Sequence, residues 1–287
     1  MCCAKSVRQA LADASGLLSP VTGSPRLESQ LLLAHVLKLP RIDLLAHPEA
    51  VLDREQEQQF TVAVQRRVNG EPLPYITGSI EFFGHRFHVT PDVLIPRPET
   101  EMLVELTLAW LAQRPDAVVV DVGTGSGCIA VAVAAAWCSG TIIATDLSYP
   151  ALRVAYHNAE QHHVAGRTTF INCDLIPPVR GKVDAIVSNP PYISQQEQPV
   201  LPRSLHYEPY TALFAGSDGL HVVRRLLHQA GEKLKPDGLL LIEIGAGQGK
   251  AALHLAQANF PTARVELLKD LSGLDRVIRV QCGTSVV

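Results

Sequence analysis

From residue 117 onward, short apolar runs alternate with stretches of helical period: Ala117 to Val122, Thr141 to Thr145, Thr168 to Ile171, Val183 to Val187 and Leu239 to Ile244. A strand that is apolar along its whole length must be covered on both faces. A helix between consecutive strands supplies that cover and returns the chain for a parallel neighbour. Two further runs, Arg264 to Leu268 and Val277 to Gln281, are separated by Ser272, Gly273 and Asp275, the turn chemistry of an antiparallel hairpin at a sheet edge. The expected fold class is α/β, with a seven-stranded, mostly parallel sheet.

The first 70 residues read differently. Apolar residues recur at three- and four-residue intervals in Val7 to Leu18, Leu27 to Leu37 and Phe60 to Val68, the period of helices with one buried side. Ser24 before Pro25 suits an N-cap and first helical position, Asp53 with Gln56 resembles a capping box, and Gly70 suits a C-terminal stop. Over 71–98 the composition turns to Pro, Gly and aromatics, and Ile80 to Phe83 and Arg86 to Val89 flank Gly84 and His85 like a short hairpin. Thr100 then opens an amphipathic helix through Leu111 that closes at Pro115. Three parts are expected: an all-α domain over 1–70, a hairpin connector over 71–98, and the α/β domain over 99–287.

With 47% hydrophobic and 18% charged residues in 287, the chain has apolar surface enough for real cores and is not largely disordered. A formal net charge of −3 leaves no global basic field, which disfavours bulk nucleic-acid binding. The six cysteines, Cys2, Cys3, Cys128, Cys138, Cys173 and Cys282, form no Cys-x-x-Cys pair, so neither a disulfide frame nor a zinc site is indicated. Cys2 and Cys3 are adjacent, but no basic cluster gives acylation there a second membrane signal. The histidines form no metal-ligand pattern. A cytoplasmic, monomeric protein without metal or membrane partner is expected.

The first strand of the α/β region runs into Asp121-Val122-Gly123-Thr124-Gly125-Ser126-Gly127, followed by a helical stretch from Ile129. Glycines there allow a tight turn and close backbone approach, and free amides at the helix start face a ligand. A dinucleotide fingerprint wants Gly-x-Gly-x-x-Gly, whereas this loop has Gly-x-Gly-x-Gly with Cys128 next, so NAD is the weaker reading of a nucleotide-like cofactor. Asp146 ends the second strand where an acidic side chain can take both hydroxyls of a ribose. Asp174, after the third strand, falls where an adenine edge would lie; capping the next turn is the alternative task for it. A second glycine loop, Gly245 to Gly249, reads as a turn at the edge of the domain.

The fourth strand leads into Ser188-Asn189-Pro190-Pro191-Tyr192-Ile193. Two prolines leave this loop little freedom, so its carbonyls and side chains are held in place. The Asn189 side-chain carbonyl and the Pro190 backbone carbonyl can each accept one hydrogen bond from a planar NH₂ group, turning its lone pair outward, while Tyr192 covers the flat face. Strand termination by the prolines, with Tyr192 in the core, is the structural alternative for the loop in isolation.

With both motifs placed, the chain resembles the class I Rossmann-like methyltransferases. Within them it is similar to the PrmC/HemK family, which methylates the glutamine of the Gly-Gly-Gln motif in class 1 peptide chain release factors. Besides Asp121 to Gly127 and Asn189 to Tyr192, the resemblance rests on Glu71-Pro72, Thr77-Gly78, Glu81-Phe82, Leu94-Ile95-Pro96-Arg97-Pro98-Glu99-Thr100-Glu101, Glu208-Pro209 and Ala212-Leu213.

That resemblance implies S-adenosyl-L-methionine as cofactor, with Gly123, Thr124, Gly125, Ser126 and Gly127 at its methionine part, Asp146 at the ribose, and Asp174 with Leu175 at the adenine. Asn189 adjoins this site. Many relatives carry an aromatic where this chain has Leu175, so apolar packing replaces stacking there. The resemblance also implies that Asn189, Pro190, Pro191 and Tyr192 grip the substrate glutamine, and that the N-terminal domain helps dock the release factor. Phe83, Arg97 and Glu99 either line the substrate entrance or serve the fold, Phe83 as a hairpin anchor and Arg97 with Glu99 as an interdomain or helix-start pair. Glu208 has a similar split reading. The alternative activity is adenine-N6 methylation of DNA or RNA by the same Asn-Pro-Pro-Tyr loop, which the acidic balance and the lack of a Lys/Arg-dense segment oppose.

Overall fold

The computed structural model describes residues 5–176 and 181–283. Cys2 and Cys3 lie outside them. The chain divides into two compact units, one running to Ser79 and taking in Pro202–Tyr207, the other made of Ile80–Leu201 and Glu208–Val287. Residues 71–98 are therefore shared between the two units.

The first unit holds α1 (Val7–Leu18), α2 (Pro25–Leu37), α3 (Arg41–Ala46), α4 (Arg54–Val68) and α5 (Leu73–Thr77). Its core gathers one face of each longer helix, with Leu18, Leu32, Leu33, Phe60 and Val64 buried together. The Asp53–Gln56 capping box forms in both directions, at 2.8 and 3.0 Å, and a second box, Ser6 with Gln9, starts α1. Ser24 stands at the N-cap of α2 with Pro25 next, but its side chain caps nothing. Two short helices depart from expectation: α3, and α5 inside the Pro-rich stretch, where Pro72 and Pro74 occupy the N-cap and first turn that tolerate proline.

In the second unit β1 (Ser79–Phe82) and β2 (His85–His88) form the hairpin. Its turn residues are Phe83 and Gly84, both at positive φ, one position before the expected Gly84–His85. Two consecutive left-handed residues give the mirror-image turn whose twist matches the strands, and the cost at Phe83 is offset by packing of its side chain on the core. After a 3₁₀ turn over Pro98–Thr100 comes α6 (Glu101–Leu111), so Thr100 precedes the helix without capping it, and the helix ends before Pro115 is reached.

Then follow β3 (Val118–Val122), α7 (Cys128–Ala136), β4 (Thr141–Asp146), α8 (Tyr149–Gln161), β5 (Thr168–Asn172), β6 (Val183–Ser188), α9 (Tyr210–Leu213), α10 (His221–Lys233), β7 (Leu234–Glu243), α11 (Gly249–Asn259), β8 (Arg264–Lys269) and β9 (Asp275–Gln281). Seven strands lie in the order β5-β4-β3-β6-β7-β9-β8, with only β9 antiparallel to its neighbours.

Alternation across the pleat decides the two cores. Val119, Ala185, Val187, Leu239 and Leu241 point to the side of α6, α7 and the hairpin. Val120, Val122, Ile186, Leu240 and Ile242 point to the side of α10 and α11. The chain goes to opposite sides of the sheet after β3 and β6, and the crevice at that switch, beyond the carboxyl ends of the strands, is where such folds take ligands. Among the described residues no helix is long and apolar enough to cross a membrane.

Candidate active site

At this switch the second unit encloses a cavity of about 390 Å³. Gly123, Thr124, Gly125 and Ser126 line it from the β3 loop, Asp146, Leu147 and Ser148 from the end of β4, Asp174 and Leu175 from beyond β5, and Asn189 and Pro191 from beyond β6. Val93, Leu94 and Pro96 close one side, Pro209, Thr211 and Ala212 another. Gly127, Pro190, Tyr192, Phe83 and Arg97 are not in the lining.

The β3 loop is built around Asp121, which is 1% exposed. Its Oδ2 accepts the Thr124 hydroxyl at 2.6 Å and the Ala130 amide at 3.1 Å, which pins the loop to the start of α7. Burial pushes its carboxyl up to about 7, against the downward pull of those two bonds. Asp146 is tied to the same loop: its Oδ2 accepts the Gly125 amide at 2.9 Å and its Oδ1 the Ser148 amide at 2.8 Å. Each oxygen keeps a further lone pair for an incoming hydroxyl. Gly127, at φ +81, is the N-cap of α7, and a Cβ there would lie 3.0 Å from the Ala155 Cβ. Its glycine serves helix packing rather than the cavity wall.

Asp174 is paired with Arg225 at 2.6 Å, and both side chains face the cavity. Leu175 sits at φ +64, and its carbonyl takes the Thr145 hydroxyl at 2.8 Å. This unusual backbone turns an apolar side chain into the wall.

Asn189 faces the cavity from beyond β6. Its Nδ2 donates to the Thr100 hydroxyl oxygen at 2.9 Å, while its Oδ1 is buried and has no hydrogen-bond partner among the described residues. Thr100 in turn donates to Glu243 Oε2 at 2.7 Å. Burial raises the Glu243 carboxyl to about 7. Tyr192 lies next in the loop, with its phenol pushed up to about 12 by burial. Its carbonyl accepts the Gln248 side chain at 2.9 Å, so the second glycine loop is a brace for the Asn-Pro-Pro-Tyr turn rather than a plain turn. Gly219 passes so close that a Cβ would meet the Tyr192 carbonyl oxygen at 2.2 Å.

Arg97 donates to Glu208 at 2.5 Å, and the buried Glu208 also accepts the Ile95 amide at 3.0 Å. The partner of Arg97 is thus Glu208, 111 positions away, and not Glu99. Phe83 packs on the core beside the hairpin turn, its amide donating to Glu101 at 2.8 Å.

Thr100, Glu243 and Gln248 carried no sequence signal as site residues. Each acts through another residue: a lone polar position at a strand end or helix start carries no spacing of its own.

The donor set suits an adenosyl-amino-acid cofactor. It offers backbone amides from a glycine turn, an acid at the end of β4, an apolar wall, and Ser126, a lining residue whose Oγ is buried and unpartnered. No cluster of three or more His, Cys, Asp or Glu side chains suited to a metal occurs among the described residues.

Comparison with known proteins agrees with this geometry. Residues 9–78 match the family model of the PrmC N-terminal domain, and residues 100–205 that of the methyltransferase small domain. The release factor glutamine methyltransferase of Coxiella burnetii is 41% identical over 280 residues, covering 97% of this chain and 99% of that protein. That of Nitratidesulfovibrio vulgaris is 43% identical over 260 residues, covering 89% and 88%. Among solved structures, the hMettl16 catalytic domain in complex with MAT2A 3'UTR hairpin 6 aligns with a TM-score of 0.55 at 16% identity, over 83% of this chain and 87% of that one, a likeness of fold alone. Family models over residues 9–78 and 100–205, and relatives above 40% identity over 97% and 89% of the chain, place it in the release factor glutamine methyltransferase family.

Proposed function

We propose that this protein transfers a methyl group from S-adenosylmethionine to the side-chain amide nitrogen of the glutamine in the Gly-Gly-Gln motif of class 1 peptide chain release factors. The observation that carries this reading is Asn189: it lines the same cavity as the glycine loop, and its carbonyl oxygen is buried without a partner. The cofactor supplies an electrophilic methyl carbon on a sulfonium. An amide nitrogen is a poor nucleophile because its lone pair is delocalised, so the enzyme's task is orientation.

Asn189 Oδ1 and the Pro190 carbonyl accept the two N–H groups, favouring a more tetrahedral nitrogen whose lone pair faces the methyl donor. Pro191 and Tyr192 hold the amide plane. Positioning of this kind supplies on the order of 7–11 kcal/mol in favourable cases. Gly123 to Ser126 and Asp146 hold the amino-acid and ribose parts of the cofactor, with Gly127 shaping the loop behind them, and Asp174 with Leu175 the base. Arg97 acts on the substrate side only indirectly, by fixing Glu208 and the Pro209 wall.

The helical unit over 1–70 is proposed as the dock for the release factor, which its exposed apolar side chains Leu39, Ile42 and Leu45 suit. The protein works in the cytoplasm as a monomer, without stable nucleic-acid binding.

Incubation with methyl-labelled cofactor and separate pools of release factor, DNA and ribosomes tests the assignment. Label on the release factor, lost when the motif glutamine is replaced, is the expected result. Label on adenine in the DNA or ribosome pool would overturn it in favour of the base-methylating alternative.

A further inference from the structure

A carboxamide has two edges of nearly equal shape, and only one of them can accept a substrate N–H. Nothing in the shape of Asn189 selects that edge. Thr100 does, and it does so because of Glu243.

The Thr100 hydroxyl owns one proton, which goes to Glu243 Oε2 at 2.7 Å. Its oxygen is left as an acceptor only, so the edge of Asn189 that faces it must be the donor, and Nδ2 is found there at 2.9 Å. Were Asn189 turned over, two acceptors would meet at that distance, in a setting where Thr100 is 2% and Glu243 1% exposed. The carbonyl oxygen is thereby left on the other edge, buried and without a partner, on a residue that lines the cavity. The order of donors along the relay is fixed by its far end once Glu243 is ionised, above the pH of about 7 to which burial raises its carboxyl, because a carboxylate can only accept.

We propose that Thr100 and Glu243 are positioning residues for methyl transfer, setting which edge of the Asn189 carboxamide is presented to the substrate nitrogen. The proposal rests on the reading that Asn189 Oδ1 receives the substrate amide. It assigns a role to a carboxylate that lines no part of the cavity and touches no substrate. It also accounts for a hydroxyl at position 100 that caps no helix.

The test pairs Thr100→Val, which keeps the branched shape and loses the hydroxyl, with Thr100→Ser, which keeps the hydroxyl. In Thr100→Val, kcat on release factor falls about 10- to 100-fold while the cofactor Kd stays within about threefold; Thr100→Ser returns kcat to within about threefold of wild type. Glu243→Gln, whose amide can also donate to Thr100, lowers kcat in the same direction and carries the test should Thr100→Val fail to fold.

A second readout needs no turnover. In the cofactor-free protein, solvent exchange of the Asn189 side-chain N–H, followed by nuclear magnetic resonance, is slow in wild type and in Thr100→Ser, and at least about tenfold faster in Thr100→Val. Wild-type kcat in Thr100→Val, or a loss matched by cofactor Kd, overturns the relay. An inactive wild type whose Asn189 amide is nevertheless protected through Thr100 overturns the assigned reaction and leaves the relay standing.

Discussion

Asn158 holds the backbone of His88 from both sides: its Oδ1 accepts the His88 amide at 2.8 Å and its Nδ2 donates to the His88 carbonyl at 2.9 Å. The same Nδ2 donates to the Ser126 carbonyl at 2.8 Å, so one fully buried side chain on α8 couples the end of the hairpin to the glycine loop. Asn158→Ala leaves three backbone groups without that partner. We expect a loss of about 2–4 kcal/mol of stability, seen as a lower urea midpoint at unchanged slope, together with weaker cofactor binding through a looser Ser126.

Asn189→Ala separates binding from chemistry. The side chain lies in the wall, but the cofactor's proposed partners are the glycine loop and Asp146, so calorimetry should find the cofactor Kd within about threefold of wild type. Transfer to the release factor should fall at least about 100-fold, as expected when a group that orients the reacting atom is lost. Asp146→Ala should do the reverse, raising the cofactor Kd about tenfold or more, because it removes both the ribose acceptor and the clamp on the Gly125 amide. Near-normal turnover in Asn189→Ala would refute the orientation mechanism.

Gly127→Ala is a test of backbone demand rather than of ligand contact. At φ +81 any side chain is strained, and the new Cβ would sit 3.0 Å from the Ala155 Cβ and 3.1 Å from its Cα. A cost of about 1–3 kcal/mol is expected, read from thermal or urea unfolding of the cofactor-free protein.

Asp121 should give the protein a pH signature of uncommon sign. Burial raises its folded-state pKa from 3.8 to about 7, so between those values the folded protein holds a proton that the unfolded chain has released. Stability from this group is complete below the unfolded value and is lost as pH rises through the folded one, with a slope on the order of 1 kcal/mol per pH unit. Asp121→Asn removes that slope. Unfolding measured from pH 4 to 8 should show the variant gaining on wild type as pH rises; parallel curves would show that Asp121 does not titrate in this way.

Five of the seven strands were legible as short apolar runs set apart by longer spacers, and the last two, Arg264 to Leu268 and Val277 to Gln281, by the turn residues Ser272, Gly273 and Asp275 between them. Boundaries moved by a residue or a few where the deciding contact is local but not compositional. The hairpin turn fell on Phe83–Gly84 because strand twist, not glycine count, selects the two left-handed positions. Leu234–Glu243 began earlier than its apolar run because pairing with β6 resumes beyond an irregularity between Val183 and Ala185.

At the cavity, the glycine loop, Asp146, Asp174 and Asn189 could be named from sequence because the carboxyl ends of the strands form the ligand edge of such a sheet, whereas Leu175 was named through the family resemblance. What the sequence determined by itself is therefore the fold class and the loops that meet at the switch point, since both follow from the period of apolar residues and from what glycine and proline do to a backbone. Only the tertiary structure decided which way those loops face. Arg97 turns to Glu208, Gln248 to Tyr192, and Glu243 through Thr100 to Asn189, across separations of 111, 56, 143 and 89 positions. Such bonds leave no trace in local spacing, because a hydrogen bond is set by distance in space, and strands brought side by side can lie anywhere along the chain.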